Sequence, residues 1–288
     1  MQRRVLVITG GHRVDLGAFL GMVEDVCAQR DWAWAHAVQP SAQRWLRPEH
    51  AGRFDAILCH DLPGVRLRRG APPTPVGPHP DTVLALTELL DRGQGLVVLH
   101  HALAGWPAWE GWAEALGGRF HYAPGRLRGQ HWPSSGTRIA HYTAKVAAPE
   151  HPVCAGVTDF ALTDELYCCP VFTDDVVPLL RTDADLDRTR FLRAHEHVHH
   201  GEHAAPDCSA HPPASDLIGW ATTAGRSPVV VLQPGDSAET FAVPAYRRLL
   251  GNALAWVGSP PAHRWAIHHP TTIRTDLQED THVERTVR

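Results

Sequence analysis

Histidine and aspartate side chains recur directly after the apolar runs of this sequence, where they could transfer protons or bind a metal. His12 follows the run VLVIT, and His100 and His101 follow GLVVL. A neutral imidazole both relays protons and binds metal ions near pH 7, so histidine suits either chemistry. Three more such residues follow other apolar runs: His60, Asp61 and Asp236. We expect these side chains to line one pocket.

Histidines from three runs could hold a divalent ion such as zinc, which would polarise a carbonyl group as a Lewis acid. His12 and His100 are the expected ligands. A metal-free site that works by acid-base catalysis alone remains equally open at this point. The segment DELY adds two adjacent carboxylates, Asp164 and Glu165. On a strand they would point to opposite faces, so only one is expected to face the pocket.

Aromatic residues between positions 106 and 132 could form a wall against which a sugar ring stacks. Trp109 and Trp112 are three apart on one helix face, a spacing typical of ordinary helix packing. Trp106 and His121 are the better candidates for the pocket because each lies nearer the end of an element.

Residues 194–203, AHEHVHHGEH, contain a literal HExxH motif in His195, Glu196 and His199. On a helix, this motif presents two zinc ligands and a general base. The longer metzincin form is missing, because Glu202 and Ala205 stand where glycine and histidine are required. Nearby glycine and proline predict a surface loop away from the pocket, so we do not expect a metalloprotease.

The order of elements predicts how these side chains are positioned. Continuous apolar runs alternate with helical stretches, which is typical of an α/β fold with three layers and a mostly parallel, doubly wound sheet. Shorter alternating runs between residues 136 and 180 predict added antiparallel strands at one edge. Ligands of open α/β sheets bind outside the carboxyl ends of the strands. We expect one domain over residues 1–258 and a C-terminal arm or tail over residues 259–288.

Composition excludes several classes of function. The formal net charge of −4 gives no footprint for nucleic acid. Lys145 is the only lysine, which leaves almost no candidate for a Schiff base. The six cysteines form no CxxC pair, and no GxSxG elbow, phosphate loop or dinucleotide fingerprint is present. No signal peptide or membrane span is recognisable, so we expect a cytoplasmic protein without membrane or nucleic-acid partners.

Several short segments, taken in order, resemble landmarks of the trehalose-utilisation (ThuA-like) family. They are GQGLVVLHHA, ALGGRFHY, HPVCAGV, DELY and AYRRLLGNALAWV. That family is similar in fold to the class I glutamine amidotransferases and to flavodoxin-like proteins. The resemblance places His100 at the strand-to-helix elbow that carries the amidotransferase cysteine, so cysteine-based glutamine hydrolysis is not expected. Asp236 stands where family members commonly have the histidine of a Gly-His pair.

The resemblance implies carbohydrate metabolism, with oxidised sugars of the 3-keto-glycoside type as substrates. Hydrolysis, elimination and isomerisation all remain open, and the protein could also be a homo-oligomer. Two alternatives are a non-catalytic sugar-binding or assembly module and an amidohydrolase with a different nucleophile. The expected catalytic residues are His100, Glu165, Asp164 and Asp236. The expected substrate-binding residues are His60, Asp61, His101, Trp106, His121 and Tyr167, with Tyr167 facing the sugar.

Overall fold

The computed structural model describes residues 2–277, in which strands and helices alternate. The strands are β1 Arg4–Gly10, β2 Ala33–Val38, β3 Ala56–Asp61, β4 Val65–Arg66, β5 Thr74–Pro75, β6 Leu96–Leu99, β7 Gly125–Leu127, β8 Gln130–Trp132, β9 Gly136–Val146, β10 Phe160–Cys168, β11 Val177–Thr182, β12 Leu192–Arg193, β13 Leu217–Ala224 and β14 Ser227–Leu232. The helices are α1 Leu16–Ala28, α2 Pro48–Ala51, α3 Pro80–Asp91, α4 Glu110–Leu116, α5 Ala194–His200, α6 Ala238–Ala242, α7 Pro244–Val257 and α8 Pro260–His268.

One ten-stranded sheet dominates the structure. Its strand order is β10-β9-β11-β13-β14-β6-β3-β1-β2, and β12 pairs with β9. The strands from β14 to β2 are parallel, whereas β13, β11, β9 and β10 continue the sheet with antiparallel pairing. Every residue of β6 and β14 is buried, as their continuous apolar sequences require. The predicted α/β fold, with antiparallel strands added at one edge, is confirmed.

Helices cover both faces of the sheet and make three layers. One apolar core includes Phe19 of α1 and Leu249 of α7. The other includes Val83 of α3 and Trp112 of α4. Because both faces are covered, polar side chains can collect in quantity only at the ends of the strands.

The carboxyl edge of the parallel strands brings distant residues together. Thr9 of β1 is in register with His60 of β3, and Leu99 of β6 is in register with Leu232 of β14. The residues that directly follow β6 and β14 therefore leave the sheet side by side. This edge holds most of the side chains that the sequence selects.

The described part of the C-terminal segment is docked rather than frayed. After α8, the backbone N–H of Thr271 donates to the Gly225 carbonyl at 3.2 Å. Trp109 Nε1 donates to the Arg274 carbonyl at 2.6 Å. The division into a domain and an arm stays a prediction, and its last residues, 278–288, lie outside the described part. No helix within residues 2–277 is long and apolar enough to cross a membrane.

Candidate functional site

A tight turn after β6 presents His100 at the carboxyl edge. The chain passes from Leu99 into a 3-10 turn over His100–Ala104, and His100 has a φ of +44°. A residue other than glycine in this left-handed region carries backbone strain that the surrounding structure must offset. The His100 side chain is fully buried, with 0% exposed.

Both ring nitrogens of His100 have partners. Nδ1 lies 2.7 Å from the carbonyl oxygen of Gln233, which fixes the ring orientation because a carbonyl can only accept. Nε2 then faces the opposite way, 2.8 Å from the Tyr167 hydroxyl and 3.2 Å from Glu165 Oε2. Asp236 Oδ1 follows at 3.6 Å.

Four side chains form what we call the His-carboxylate cluster: His100, His101, Glu165 and Asp236. One ligand atom from each lies within 4.8 Å of the ligand atoms of the others. Among residues 2–277, no other group of three or more histidine, cysteine or acidic side chains meets this condition. The sequence predicts His12 and His100 as ligands. In the structure His101, and not His12, joins His100 in this group.

Burial and the charges within the cluster shift the pKa values of its members. Burial lowers the pKa of His100, but the hydrogen bond to Glu165 and the charges of Glu165, Asp164 and Asp236 outweigh burial and raise that pKa to about 9. Burial, with the nearby charge of His100, holds the pKa of His101 well below its usual value. Burial also raises the pKa of Asp236. The positive charge of His100 therefore lies next to the negative charges of Glu165 and Asp236.

His12 lies beside the cluster without joining it. Its ring stacks on His101 with centroids 3.3 Å apart and planes at 24°. Burial, followed by the charge of His100, lowers the pKa of His12 to about 4. Its Nδ1 is buried and has no hydrogen-bond partner. The imidazole is thus neutral near pH 7, and the residue is half-buried.

The two DELY carboxylates have different surroundings. Glu165 is 19% exposed at its side chain and contacts His100. Asp164 is 1% exposed and accepts hydrogen bonds from backbone N–H groups, including that of Gly235 at 2.7 Å. Only Glu165 belongs to the cluster, whereas Asp164 lies outside it with both oxygens hydrogen-bonded, and its predicted catalytic role stays a prediction.

Two of the predicted substrate-binding residues contact other parts of the site. Tyr167 is 3% exposed, and its hydroxyl lies 2.8 Å from His100 Nε2. His60 Nε2 donates to the Gly235 carbonyl at 2.8 Å, and its ring packs on Phe19.

Three other predicted binding residues lie outside the cluster. Asp61 is buried and accepts a hydrogen bond from Gln39 at 2.8 Å. Trp106 is 3% exposed and packs over Gly64. His121 is also 3% exposed; burial, followed by the charges of Arg119 and His211, lowers its pKa to about 3. Periodicity placed these residues near strand or helix ends but could not give the direction of each side chain.

Asp61→Asn should stabilise the protein above neutral pH and have little effect near pH 4. Burial raises the pKa of Asp61 to about 7, although the Gln39 hydrogen bond opposes this. The folded protein keeps a proton that the unfolded chain releases, so the free energy of unfolding falls as pH rises between about 4 and about 7. A difference of about three between the two pKa values corresponds to about 4 kcal/mol. Urea unfolding of both proteins at pH 4 and pH 8 measures this, and an equal gain at both pH values would contradict it.

The HExxH segment forms the short helix α5, so the predicted loop is wrong. The rings of His195 and His199 lie 6.3 Å apart between centroids. Glu196 pairs with Arg193 at 3.4 Å. In the described residues no third ligand joins this histidine pair. The segment therefore lacks the ligand set of a catalytic zinc site, and an open zinc site needs three protein ligands.

Two residues of the site, Tyr122 and Gln233, were not identified from the sequence. Tyr122 is half-buried, and burial together with the charges of Glu165 and Asp236 raises its pKa, which places its hydroxyl in the field of the cluster. Gln233 holds His100 through its carbonyl and bonds the Tyr167 backbone N–H through Oε1 at 3.0 Å. Tyr122 directly follows His121, which was predicted from the sequence as a pocket residue. Only an alternation of side chains along that irregular segment could have indicated Tyr122.

Comparison with known proteins agrees with this architecture. The sequence profile of the trehalose-utilisation (ThuA) family matches residues 20–257. The chain belongs to the ThuA family. A ThuA-like protein from Parabacteroides merdae superimposes with a TM-score of 0.61 at 11% identity, covering 90% of this chain and 91% of that one. A second, from Bacteroides uniformis, gives 0.58 at 16% identity, covering 88% and 91%.

A glutamine amidotransferase from Thermotoga maritima also superimposes, with a TM-score of 0.47 at 11% identity, covering 90% of this chain and 99% of that one. No curated protein sequence matches the chain. The cluster of this ThuA-family protein contains no cysteine, and all six cysteines of the chain are buried. Burial raises the pKa of thiols such as Cys59 and Cys169, which keeps them protonated and poor as nucleophiles.

Proposed function

We propose that this protein is an enzyme that acts on an oxidised sugar of the 3-keto-glycoside type at the His-carboxylate cluster. One observation carries the proposal: imidazoles and carboxylates from three separate chain segments converge within 4.8 Å at the carboxyl edge of the sheet. Such an arrangement suits proton transfer beside a polarised carbonyl. The description of the family, trehalose utilisation, supports a sugar as the substrate.

We propose further that the cluster holds a divalent cation such as zinc. Two imidazoles and two carboxylates are a fitting donor set for such an ion, which would displace the proton from His100 Nε2. The Gln233 carbonyl binds His100 Nδ1 and so directs Nε2 into the cluster, as a second-shell carbonyl does for a metal-bound histidine. His101 is 3% exposed, yet its Nδ1 has no partner and its Nε2 lies 3.9 Å from Asp236, beyond hydrogen-bond distance. A ligand is the simplest partner for this buried imidazole.

When bound, the cation would polarise the keto group of the sugar as a Lewis acid. The side chains of the protein then handle the protons. The hydrogen on the carbon beside a keto group is acidic, and its removal begins both elimination and isomerisation. We assign the acceptance of this proton to His12, because its imidazole is neutral and stacks on His101 of the cluster. Tyr122, which stays protonated, supplies a hydroxyl donor to the sugar.

Exchange of the sugar's acidic hydrogen with deuterium from solvent tests this function. The purified protein is incubated in D2O with a 3-keto-glycoside, such as the 3-keto derivative of trehalose, and the product is followed by NMR. We expect deuterium next to the keto group or a new product, and no change of unoxidised trehalose. Glu165→Gln, which loses the charge of one cluster carboxylate, is the protein control. Binding of the keto sugar without exchange or turnover would indicate a sugar-binding module instead.

A further inference from the structure

The segment 233–236, which follows β14 and ends in Asp236, is held on several sides. Its first three carbonyl oxygens accept hydrogen bonds from three different side chains: His100 at 2.7 Å, Tyr246 at 2.8 Å and His60 at 2.8 Å. Each of these donors is almost fully buried. The carbonyl side of the segment is therefore fixed by the body of the protein.

The N–H group of Gln233 donates to the Ile218 carbonyl at 2.8 Å, whereas those of Gly235 and Asp236 are both held by one residue, Asp164. Its Oδ2 accepts from the Gly235 N–H at 2.7 Å, and its Oδ1 accepts from the Asp236 N–H at 3.1 Å. Oδ2 also accepts from the Thr240 hydroxyl at 2.8 Å. Asp164 is 1% exposed, so these charge-assisted bonds act away from water, where they are strong.

The conformation that Asp164 holds is demanding. Gly235 has a φ of +137°, and a Cβ there would lie 2.7 Å from the Tyr246 hydroxyl. Only glycine fits this position, and a flexible glycine gains most from being anchored. Without the anchor, the peptide between Gly235 and Asp236 can rotate and carry the Asp236 carboxylate away from the cluster.

We infer that Asp164 is a positioning residue, which acts through segment 233–236 to hold the Asp236 carboxylate beside His100. This inference rests on the proposed function of the cluster, since it assigns Asp164 the task of assembling that site. Asp164 lies on the antiparallel strand β10, the fourth strand beyond the parallel part of the sheet that carries His100. The added antiparallel strands thus contribute to the site as well as to the core.

Asp164→Asn separates this role from a purely structural one. Asparagine has the same shape, but its NH2 group cannot accept from the N–H that it would face. Thr240→Val is the matched control, because it removes one bond to the same carboxylate while both backbone bonds remain. We expect both variants to lower Tm. Only Asp164→Asn should displace Asp236 Oδ1 from its position 3.6 Å from His100 Nε2.

Crystal structures of both variants measure the displacement, and zinc titration of both measures its effect on the cluster. A displacement of about 1 Å is enough to cost about 10²-fold in turnover, and we expect at least a tenfold weaker zinc affinity for Asp164→Asn alone. If Asp164→Asn does not fold, Asp164→Ser takes its place. An unmoved Asp236 in the variant overturns the inference. Failure of the unsubstituted protein to bind zinc would overturn the proposed cation, while the position of Asp236 would still decide the role of Asp164.

Discussion

His100→Asn should leave the protein folded and lower turnover of a 3-keto-glycoside at least about 10²-fold, the usual cost of losing one electrostatic contact to a reacting oxygen. Asparagine tolerates the left-handed φ of +44° that this position requires. Its shorter side chain cannot reach both Gln233 and Glu165, so the cluster loses a member. Deuterium exchange of the keto sugar gives the rate, and thermal unfolding gives the stability.

His100→Ala is the less informative substitution, because this imidazole is fully buried and hydrogen-bonded at both nitrogens. Alanine would leave the Gln233 carbonyl and the Tyr167 hydroxyl unpaired, at a cost on the order of 2 kcal/mol. Full activity of a folded His100→Asn protein would show that His100 is structural.

Asp236→Asn should lower turnover by about 10²- to 10³-fold with little effect on Tm. The Asp236 side chain is 34% exposed, at the open side of the cluster. Its backbone, rather than its carboxylate, anchors the loop through Asp164. The substitution therefore removes a negative charge from the cluster while the loop stays in place. Steady-state kinetics with and without added zinc measure the loss.

Asp61→Asn is the matched control for Asp236→Asn. It makes the same chemical change at the end of β3. There Asp61 accepts a hydrogen bond from Gln39, and no member of the cluster is hydrogen-bonded to Asp61. We expect turnover within a factor of about two of the unsubstituted protein, since isolated sites act independently. Equal losses in both variants would mean that the location of the carboxylate within the cluster is unimportant.

The fold was predictable from local sequence, because buried parallel strands need continuous apolar runs. The runs GLVVL and SPVVVL became β6 and β14, and the residues after them met at one edge. The elbow at His100 was implied by the resemblance to the ThuA-like family. The alternation of side chains along a strand also explains why one DELY carboxylate, and not both, joins the cluster.

The contacts across the sheet were not predictable in the same way. Asp164 is buried because it binds a loop about 70 residues later in the chain, a contact that no local pattern encodes. Asp61 and His121 stand near the expected edge, but their side chains turn to Gln39 and to the surroundings of Arg119. Helix α5 formed where glycine and proline predicted a loop, because those residues lie after the helix and not within it.

Cobalt binding tests the central claim, that the His-carboxylate cluster holds a divalent cation, most directly. Co²⁺ has visible absorption bands that report its ligands, and it accepts the same donors as zinc. His195→Ala and His199→Ala are included in every protein, so that the histidines of α5 cannot contribute. After dialysis, we expect one Co²⁺ per chain and the visible absorption bands. A protein that also carries Glu165→Gln should show neither the bound Co²⁺ nor the bands. Retention of no cobalt, or of the same amount after Glu165→Gln, would contradict the account.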